Sequence, residues 1–152
     1  MAIKKIVQIG DEVLRKVSSP VEKIDENILK LLEDIKNTLI FSQGAGLAAP
    51  QIGVNLRVFA INIEEGYFEF INPVILKTSG KQFGPEGCLS VQHKQGDVER
   101  PNKVVVKYQD RNGDWFKLTA YDFFARAICH ENDHLDGVLY IDKAQNLKEI
   151  RD

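Results

Sequence analysis

Two histidines four residues apart form the part of this sequence with the clearest chemical potential. They enclose a glutamate in the segment His130-Glu131-Asn132-Asp133-His134. On a helix, side chains at i and i+4 project from one face roughly 5–6 Å apart, so both imidazoles could bind one metal ion. Glu131 lies about 100° around the helix axis and could contact a metal-bound water instead. The pattern indicates a metal-dependent hydrolase with a glutamate base. The alternative is two solvated histidines on an amphipathic helix.

A catalytic metal site of this kind needs a third protein ligand and an open position for water. One protease group takes that ligand from a histidine six residues after the second one, but Tyr140 stands there. Other proteases use a downstream glutamate, and only Glu149 follows the motif. Cys88 is the remaining soft ligand, and its thiolate would complete a Cys-His-His triad. Taken alone, Cys88 is equally well explained as a small buried hydrophobic residue.

Helices and strands must position these residues. Asp25 suits the N-cap of a first helix, and apolar residues follow it with helical spacing at Ile28, Leu31, Leu32, Ile35 and Leu39. Short runs rich in β-branched and aromatic residues predict strands at 57–63, 67–72, 104–108 and 115–121. The last two runs flank residues 110–114, whose Asn-Gly pair is typical of a hairpin turn.

A second helix is predicted from Phe123 to Leu135, with Asp122 as its N-cap and an end near Gly137. This helix carries both histidines. Two helices among antiparallel strands predict an α+β fold. We expect the strands to pack around the central histidine-bearing helix, with the N-terminal amphipathic helix added to them.

Length and composition narrow the function classes. A chain of 152 residues with 43% hydrophobic residues predicts one domain over residues 1–152. The net charge of −2 comes from interspersed charges without a long basic run, which speaks against nucleic-acid readout and membrane binding. No apolar stretch reaches signal-peptide or membrane-span length, so a soluble, cytoplasmic protein is expected. In that reducing compartment Cys88 and Cys129 should not form a disulfide.

Three segments in this order and spacing resemble the peptide deformylases. They are GAGLAAPQ at residues 44–51, EGCLS at 86–90 and HENDHLDG at 130–137. The flanking residues 10–15 and 138–140 are also similar, so the resemblance covers nearly the whole chain. It implies an enzyme that removes the formyl group from the N-terminal formylmethionine of nascent polypeptides and releases formate. Contact with the ribosome is left open.

The resemblance also implies a metal centre. One ion would be bound by Cys88, His130 and His134, and Glu131 would act as the acid and base. The family uses Fe(II) natively, and Zn(II), Ni(II) or Co(II) would substitute, because imidazole and thiolate ligands suit all four metals.

Further site residues follow from the same resemblance. The side-chain amide of Gln51 and the backbone N–H of Leu89 would stabilise the oxyanion. Gly46 and Gly87 would offer backbone hydrogen bonds to an extended substrate. An apolar pocket for the methionine side chain would be formed by Ala45, Phe123 and Ala127, although ordinary core packing explains these three residues equally well.

Two positions depart from the family pattern. Gln92 stands where the family usually has proline, and Cys129 stands where glutamine commonly precedes the histidine motif. Gln92 and His93 could border the substrate groove, but a solvated loop is the favoured interpretation. Cys129 is expected to pack rather than to bind the metal. Two other functions are retained as alternatives, a zinc endopeptidase and a non-catalytic module that binds nascent chains or ribosomes.

Overall fold

The computed structural model describes residues 2–150, which form two antiparallel sheets and two α-helices. The helices are α1 (Glu26–Ser42) and α2 (Asp122–Leu135). The strands, in chain order, are β1 (Gly46–Ala48), β2 (Val58–Ile63), β3 (Gly66–Ser79), β4 (Gln82–Cys88), β5 (Val91–Arg100), β6 (Lys103–Gln109), β7 (Trp115–Tyr121) and β8 (Gln145–Glu149). Short 3-10 helices span Glu12–Arg15, Ala49–Ile52 and Tyr140–Asp142. The α+β class predicted from the sequence is confirmed.

Helix α1 forms as its sequence pattern predicts. The Asp25 side chain accepts a hydrogen bond from the backbone N–H of Ile28 at 3.1 Å, which satisfies one of the free amides of the first turn. The helix ends where Gln43 adopts a left-handed conformation, with φ of 58°. Its apolar stripe, including Leu32, Ile35 and Leu39, is buried with side chains of β1 and β2. Burial of this stripe holds α1 on one face of the five-stranded sheet.

The five-stranded sheet has the strand order β1-β2-β3-β6-β7. The predicted hairpin joins β6 to β7, and Asp110 accepts hydrogen bonds from the backbone of Asn112 and Asp114 inside its turn. Strand β3 runs longer than the predicted 67–72. A register shift after Ile71, where Asn72 has φ of 51°, lets the strand continue past Pro73.

The second sheet has the strand order β4-β5-β8 and was not predicted from the sequence. Gln92 and His93 were predicted to lie in a solvated loop, and this was wrong because both belong to β5. These strands contain glycine, proline and charged residues and lack a clear apolar alternation. The three strands are held together by backbone pairing, in which Cys88 lies opposite Val91 and Asp97 lies opposite Gln145. Local sequence patterns do not reveal such pairing.

Helix α2 follows β7 without an intervening loop. The prediction of Asp122 as N-cap was wrong, because α2 begins at Asp122 itself and Tyr121 occupies the N-cap position, without a side-chain cap hydrogen bond. Asp122 has φ of 53°, and its N–H donates to the carbonyl of Asn102 at 2.8 Å. The chain therefore changes direction within one residue. At the other end α2 stops at Leu135, near Gly137 as predicted, and Gly137 adopts a left-handed conformation with φ of 74°.

Helix α2 lies between the two sheets. Its apolar residues pack on the face of the five-stranded sheet opposite to α1, in a cluster with Phe59, Phe70 and Val106. Cys129 packs in this cluster, as predicted, and both cysteines are free thiols in the structure. A further cluster, which includes Val91, Val98 and Tyr140, lies on the side of the three-stranded sheet. None of the helices in residues 2–150 is long and apolar enough to cross a lipid bilayer.

The turn at Gly137 gives a stability prediction. A Cβ atom there would lie 2.6 Å from the carbonyl oxygen of Arg15, in a backbone conformation that side chains disfavour. Gly53 has a similar φ of 85° with open space around it. We expect Gly53→Ala to lower the free energy of unfolding by about 1–2 kcal/mol through backbone strain alone. Gly137→Ala should lower it by at least about twice as much. Urea unfolding of both variants measures the difference, and equal losses would contradict it.

Candidate active site

Three side chains from distant parts of the chain meet at one point. Cys88 ends β4, whereas His130 and His134 lie one turn apart on α2. Their ligand atoms all lie within 4.8 Å of one another, and Cys88 Sγ is 3.4 Å from His134 Nε2. A tetrahedral ion with bonds of about 2.0–2.3 Å holds its ligands roughly 3.5 Å apart. The donor set and its spacing therefore fit one divalent metal ion, with a fourth position for water or substrate.

A buried carboxylate orients the first histidine. Glu86 Oε1 lies 2.8 Å from His130 Nδ1, so this ring nitrogen donates and Nε2 is left to act as a ligand. Arg100 donates to both Glu86 oxygens at 2.9 Å, and Arg126 donates to Oε2. Burial by itself would raise the pKa of Glu86, but the hydrogen bonds from His130 and Arg100 outweigh it and lower the pKa to about 2. Glu86 is therefore an anion held by three cationic partners.

The two histidines differ in their electrostatics. Burial, together with the charges of His130 and Arg100, lowers the pKa of His134 well below its ordinary value, so this ring is neutral and available as a ligand. Burial also opposes a charge on His130, but contacts with Cys88 and Glu86 raise the pKa of His130 to about 10. Metal binding at His130 would therefore release a proton.

Glu131 lies beside the three ligands and is 4% exposed. Burial is the largest influence on this carboxyl, and its pKa is raised to about 7 although the charge of His130 opposes the shift. Among residues 2–150, Glu131 Oε1 has no hydrogen-bond partner. A Cβ atom on Gly46 would lie 2.6 Å from Oε2, so only glycine leaves room for this carboxylate. A carboxyl group that titrates near neutrality can both accept and deliver a proton.

Gln51 is held in one orientation by its neighbours. It lies in the 3-10 helix Ala49–Ile52, and its Oε1 accepts from the backbone N–H of Ala48 at 2.9 Å. Its Nε2 therefore points the other way, donating to Ser90 Oγ at 3.1 Å and lying 3.6 Å from Cys88 Sγ. An amide anchored in this way presents its N–H groups beside the candidate metal ligand Cys88. Leu89 follows Cys88 in the turn between β4 and β5, within the same cavity wall.

A cavity of about 490 Å³ opens onto this centre. Ten of the eleven site residues predicted from the sequence line it, and the eleventh, His134, is buried directly behind them. The ten are Ala45, Gly46, Gln51, Gly87, Cys88, Leu89, Phe123, Ala127, His130 and Glu131. Gln92 and His93 also line the cavity, so the alternative that they border a groove describes their position better than a solvated loop.

Several residues of the site were not predicted from the sequence. Glu86, Arg100 and Arg126 are each 7% exposed or less, although charged side chains are seldom buried unless they are paired. Of these three, only Glu86 carried a usable signal, because it stands within the EGCLS segment. Ser90, which is fully buried and accepts from Gln51, lies in the same segment. Ile150 reaches the cavity from beyond β8, and no local pattern pointed to it.

Comparison with known proteins identifies the family of this chain. The model of the polypeptide deformylase family matches residues 3–149. The chain is 52% identical to the peptide deformylase of Caldicellulosiruptor bescii over 143 residues, which cover 94% of this chain and 86% of that protein. It is also 52% identical to the peptide deformylase of Thermoanaerobacter pseudethanolicus, over 95% of this chain and 91% of that protein.

Solved structures agree with these matches. The crystal structure of peptide deformylase from Thermotoga maritima superposes with a TM-score of 0.93 at 38% identity, covering 95% of this chain and 99% of that one. A peptide deformylase from Synechococcus elongatus, solved in complex with actinonin, superposes with a TM-score of 0.89 at 39% identity, covering 93% of this chain and 78% of that one. This chain therefore belongs to the polypeptide deformylase family.

Proposed function

We propose that this protein is a metal-dependent hydrolase that removes the N-formyl group from the N-terminal formylmethionine of nascent polypeptides in the cytoplasm. The products are formate and a free amino terminus. The observation that carries the proposal is the approach of Cys88 to His130 and His134 beside the buried Glu131. Residues 1–152 would form one catalytic domain, in line with a family match over 3–149.

The metal would be bound by Cys88 Sγ and by one nitrogen each of His130 and His134, with one ion per chain. Fe(II) is proposed as the native ion, and Zn(II), Ni(II) and Co(II) as substitutes, because thiolate and imidazole donors suit all of them. When bound, the ion would polarise the formyl carbonyl and lower the pKa of water toward neutrality. The contact from Glu86 supports this arrangement because it fixes the orientation of the His130 ring.

The protein side chains would move the proton and stabilise charge. Glu131, whose pKa of about 7 suits both directions of transfer, would accept a proton from the attacking water and deliver it to the departing amine. The amide of Gln51 and the backbone N–H of Leu89 would donate to the oxyanion that develops on the formyl oxygen. The anchoring of Gln51 by Ala48 supports this role, because an oriented donor need not reorganise during the reaction.

The cavity would select the substrate. Ala45, Phe123 and Ala127 would contact the methionine side chain, and Gly46 and Gly87 would offer backbone hydrogen bonds to the peptide. A formyl carbon bears only hydrogen, so a site with Glu131 packed against Gly46 would accept it and exclude larger acyl groups.

A comparison of acyl groups tests the reaction. We expect anaerobically purified enzyme to release formate from a formyl-methionyl dipeptide and to hydrolyse the acetyl analogue at least about a hundredfold more slowly, because the acetyl methyl group must displace neighbouring atoms. Metal content is measured on the same sample. Cleavage of internal bonds in an unformylated peptide would contradict the proposal and favour an endopeptidase.

The proposed acid and base and the proposed ligand should respond differently to substitution. Glu131→Gln should retain the metal and lower kcat by about 10²–10⁴-fold, because it removes proton transfer. Cys88→Ser should lower the metal content, because a hydroxyl replaces a thiolate poorly. Cys129→Ser is the matched control, since it changes a buried thiol outside the ligand set and should leave the metal stoichiometry unchanged. Full metal occupancy in Cys88→Ser would remove Cys88 from the ligands.

The oxyanion role of Gln51 predicts a selective kinetic effect. Gln51→Leu keeps the side-chain volume but removes the donor, so kcat should fall by about 10²–10³-fold while KM changes little. Steady-state kinetics of the metal-loaded variant measure both constants. A rise in KM at constant kcat would instead assign Gln51 to ground-state binding of the substrate.

A further inference from the structure

One face of the five-stranded sheet is only half covered. Helix α2 packs on the opposite face, and α1 packs on this face where β1 and β2 lie. On the β6–β7 half of this face, no helix in the described part of the chain covers the side chains. The alternate residues Val104 and Val106 of β6 point to the other face, where they are buried against α2. The outward side chains include a group that we call the lysine–aromatic face: Lys77, Lys103, Lys107, Lys117, Trp115 and Tyr121.

The strand register places these side chains together. Lys107 lies directly opposite Lys117, and Lys103 lies directly opposite Tyr121. Lys77 of β3 lies opposite Val105, the residue midway between Lys103 and Lys107. Residues directly opposite in an antiparallel pair share a face, so four ammonium groups occupy three adjacent strands.

The four lysines of this face are not held in close ion pairs. Within the described residues 2–150, none of the four lysines forms an ion pair within 4.0 Å. Toward α1, the carboxylates of Glu33 and Glu69 are both engaged by Arg111 at 2.8 Å. Like charges directly opposite each other destabilise a sheet, and Lys107 and Lys117 form such a pair. In a chain of net charge −2, this is a concentration of unpaired positive charge.

Two aromatic rings accompany the lysines. Trp115 is 51% exposed and Tyr121 is 56% exposed. Lys107 Nζ lies 4.7 Å from the Trp115 ring centre, and Lys103 Nζ lies 5.9 Å from that of Tyr121. The two rings stand at opposite ends of β7, about 20 Å apart at about 3.4 Å per residue. They are separate flat surfaces, each beside a cation, and not one continuous apolar patch.

We propose that the lysine–aromatic face binds single-stranded RNA without sequence preference. Lysines contact phosphates as point charges, and exposed rings on a sheet stack with unpaired bases of any sequence. Two other anionic partners fit this face less well than RNA. An anionic membrane would require a more continuous apolar surface. An acidic protein would account for the lysines but not for the two isolated rings. None of the six residues lines the active-site cavity, so RNA and peptide bind at the same time.

The test measures binding of a fluorescein-labelled oligouridylate to the metal-loaded enzyme by anisotropy, between about 50 and about 200 mM salt. Lys107→Gln/Lys117→Gln should weaken binding by about tenfold or more at low salt. It should also reduce the magnitude of the log–log salt slope by about 1.4, at about 0.7 for each lost phosphate contact. The control Lys5→Gln/Lys16→Gln removes the same charge from exposed positions outside the face and should change neither quantity.

A second variant separates stacking from charge. Trp115→Ala should weaken binding by about tenfold with an unchanged salt slope, because base stacking releases no counterions. Both variants should keep their deformylase activity, which verifies their folding. The proposal is overturned if Lys107→Gln/Lys117→Gln binds the oligouridylate as tightly as the unmodified protein. It is also overturned if vesicles of phosphatidylglycerol bind through this face and the oligouridylate does not.

Discussion

The buried carboxylate of Glu86 is the interaction on which the architecture of the site depends. It joins β4 to Arg100 of β5 and to Arg126 and His130 of α2, and thus ties the second sheet to the helix. Arg100 also reaches Asp133, one turn further along α2, at 2.7 Å. Removing one partner of such a buried group leaves an uncompensated charge, which costs about 3–5 kcal/mol. The cluster therefore specifies one position of β4 relative to α2.

That position determines where Cys88 lies, because Cys88 is two residues beyond Glu86 on the same strand. Once the carboxylate is held, the thiol is brought to His134 and the His130 ring is oriented by the same contact. An apolar replacement of the cluster could be equally stable, since desolvation offsets much of the attraction in buried ion pairs. The benefit of the ion cluster is geometric, because the cluster helps to place Cys88, His130 and His134 so that their potential ligand atoms lie within 4.8 Å of one another.

The same burial sets the protonation behaviour of Glu131, the proposed acid and base. Glu131 is enclosed between α2 and Gly46 of β1, and its enclosure raises the pKa of the carboxyl toward neutrality. A more open site would leave this group a weak base near its ordinary pKa. The two faces of the five-stranded sheet therefore differ. On the face that packs against α2, β1 and α2 form one wall of the cavity. On the other face, β6 and β7 present lysines and aromatic rings.

Local patterns in the sequence determined α1 with its Asp25 cap, the β6–β7 hairpin, and the turn of α2 that presents two histidines on one side. These features depend on neighbours within about five residues, which is the range over which helical periodicity and turn chemistry act. Cys88, Gln51 and Leu89 were found through the family's segments, not through periodicity. The tertiary structure alone decided the pairing of β4, β5 and β8, the ion cluster around Glu86, and the accumulation of lysines on one sheet face. Each of these depends on residues distant in sequence that become neighbours only when the chain folds, so no local window contains the information.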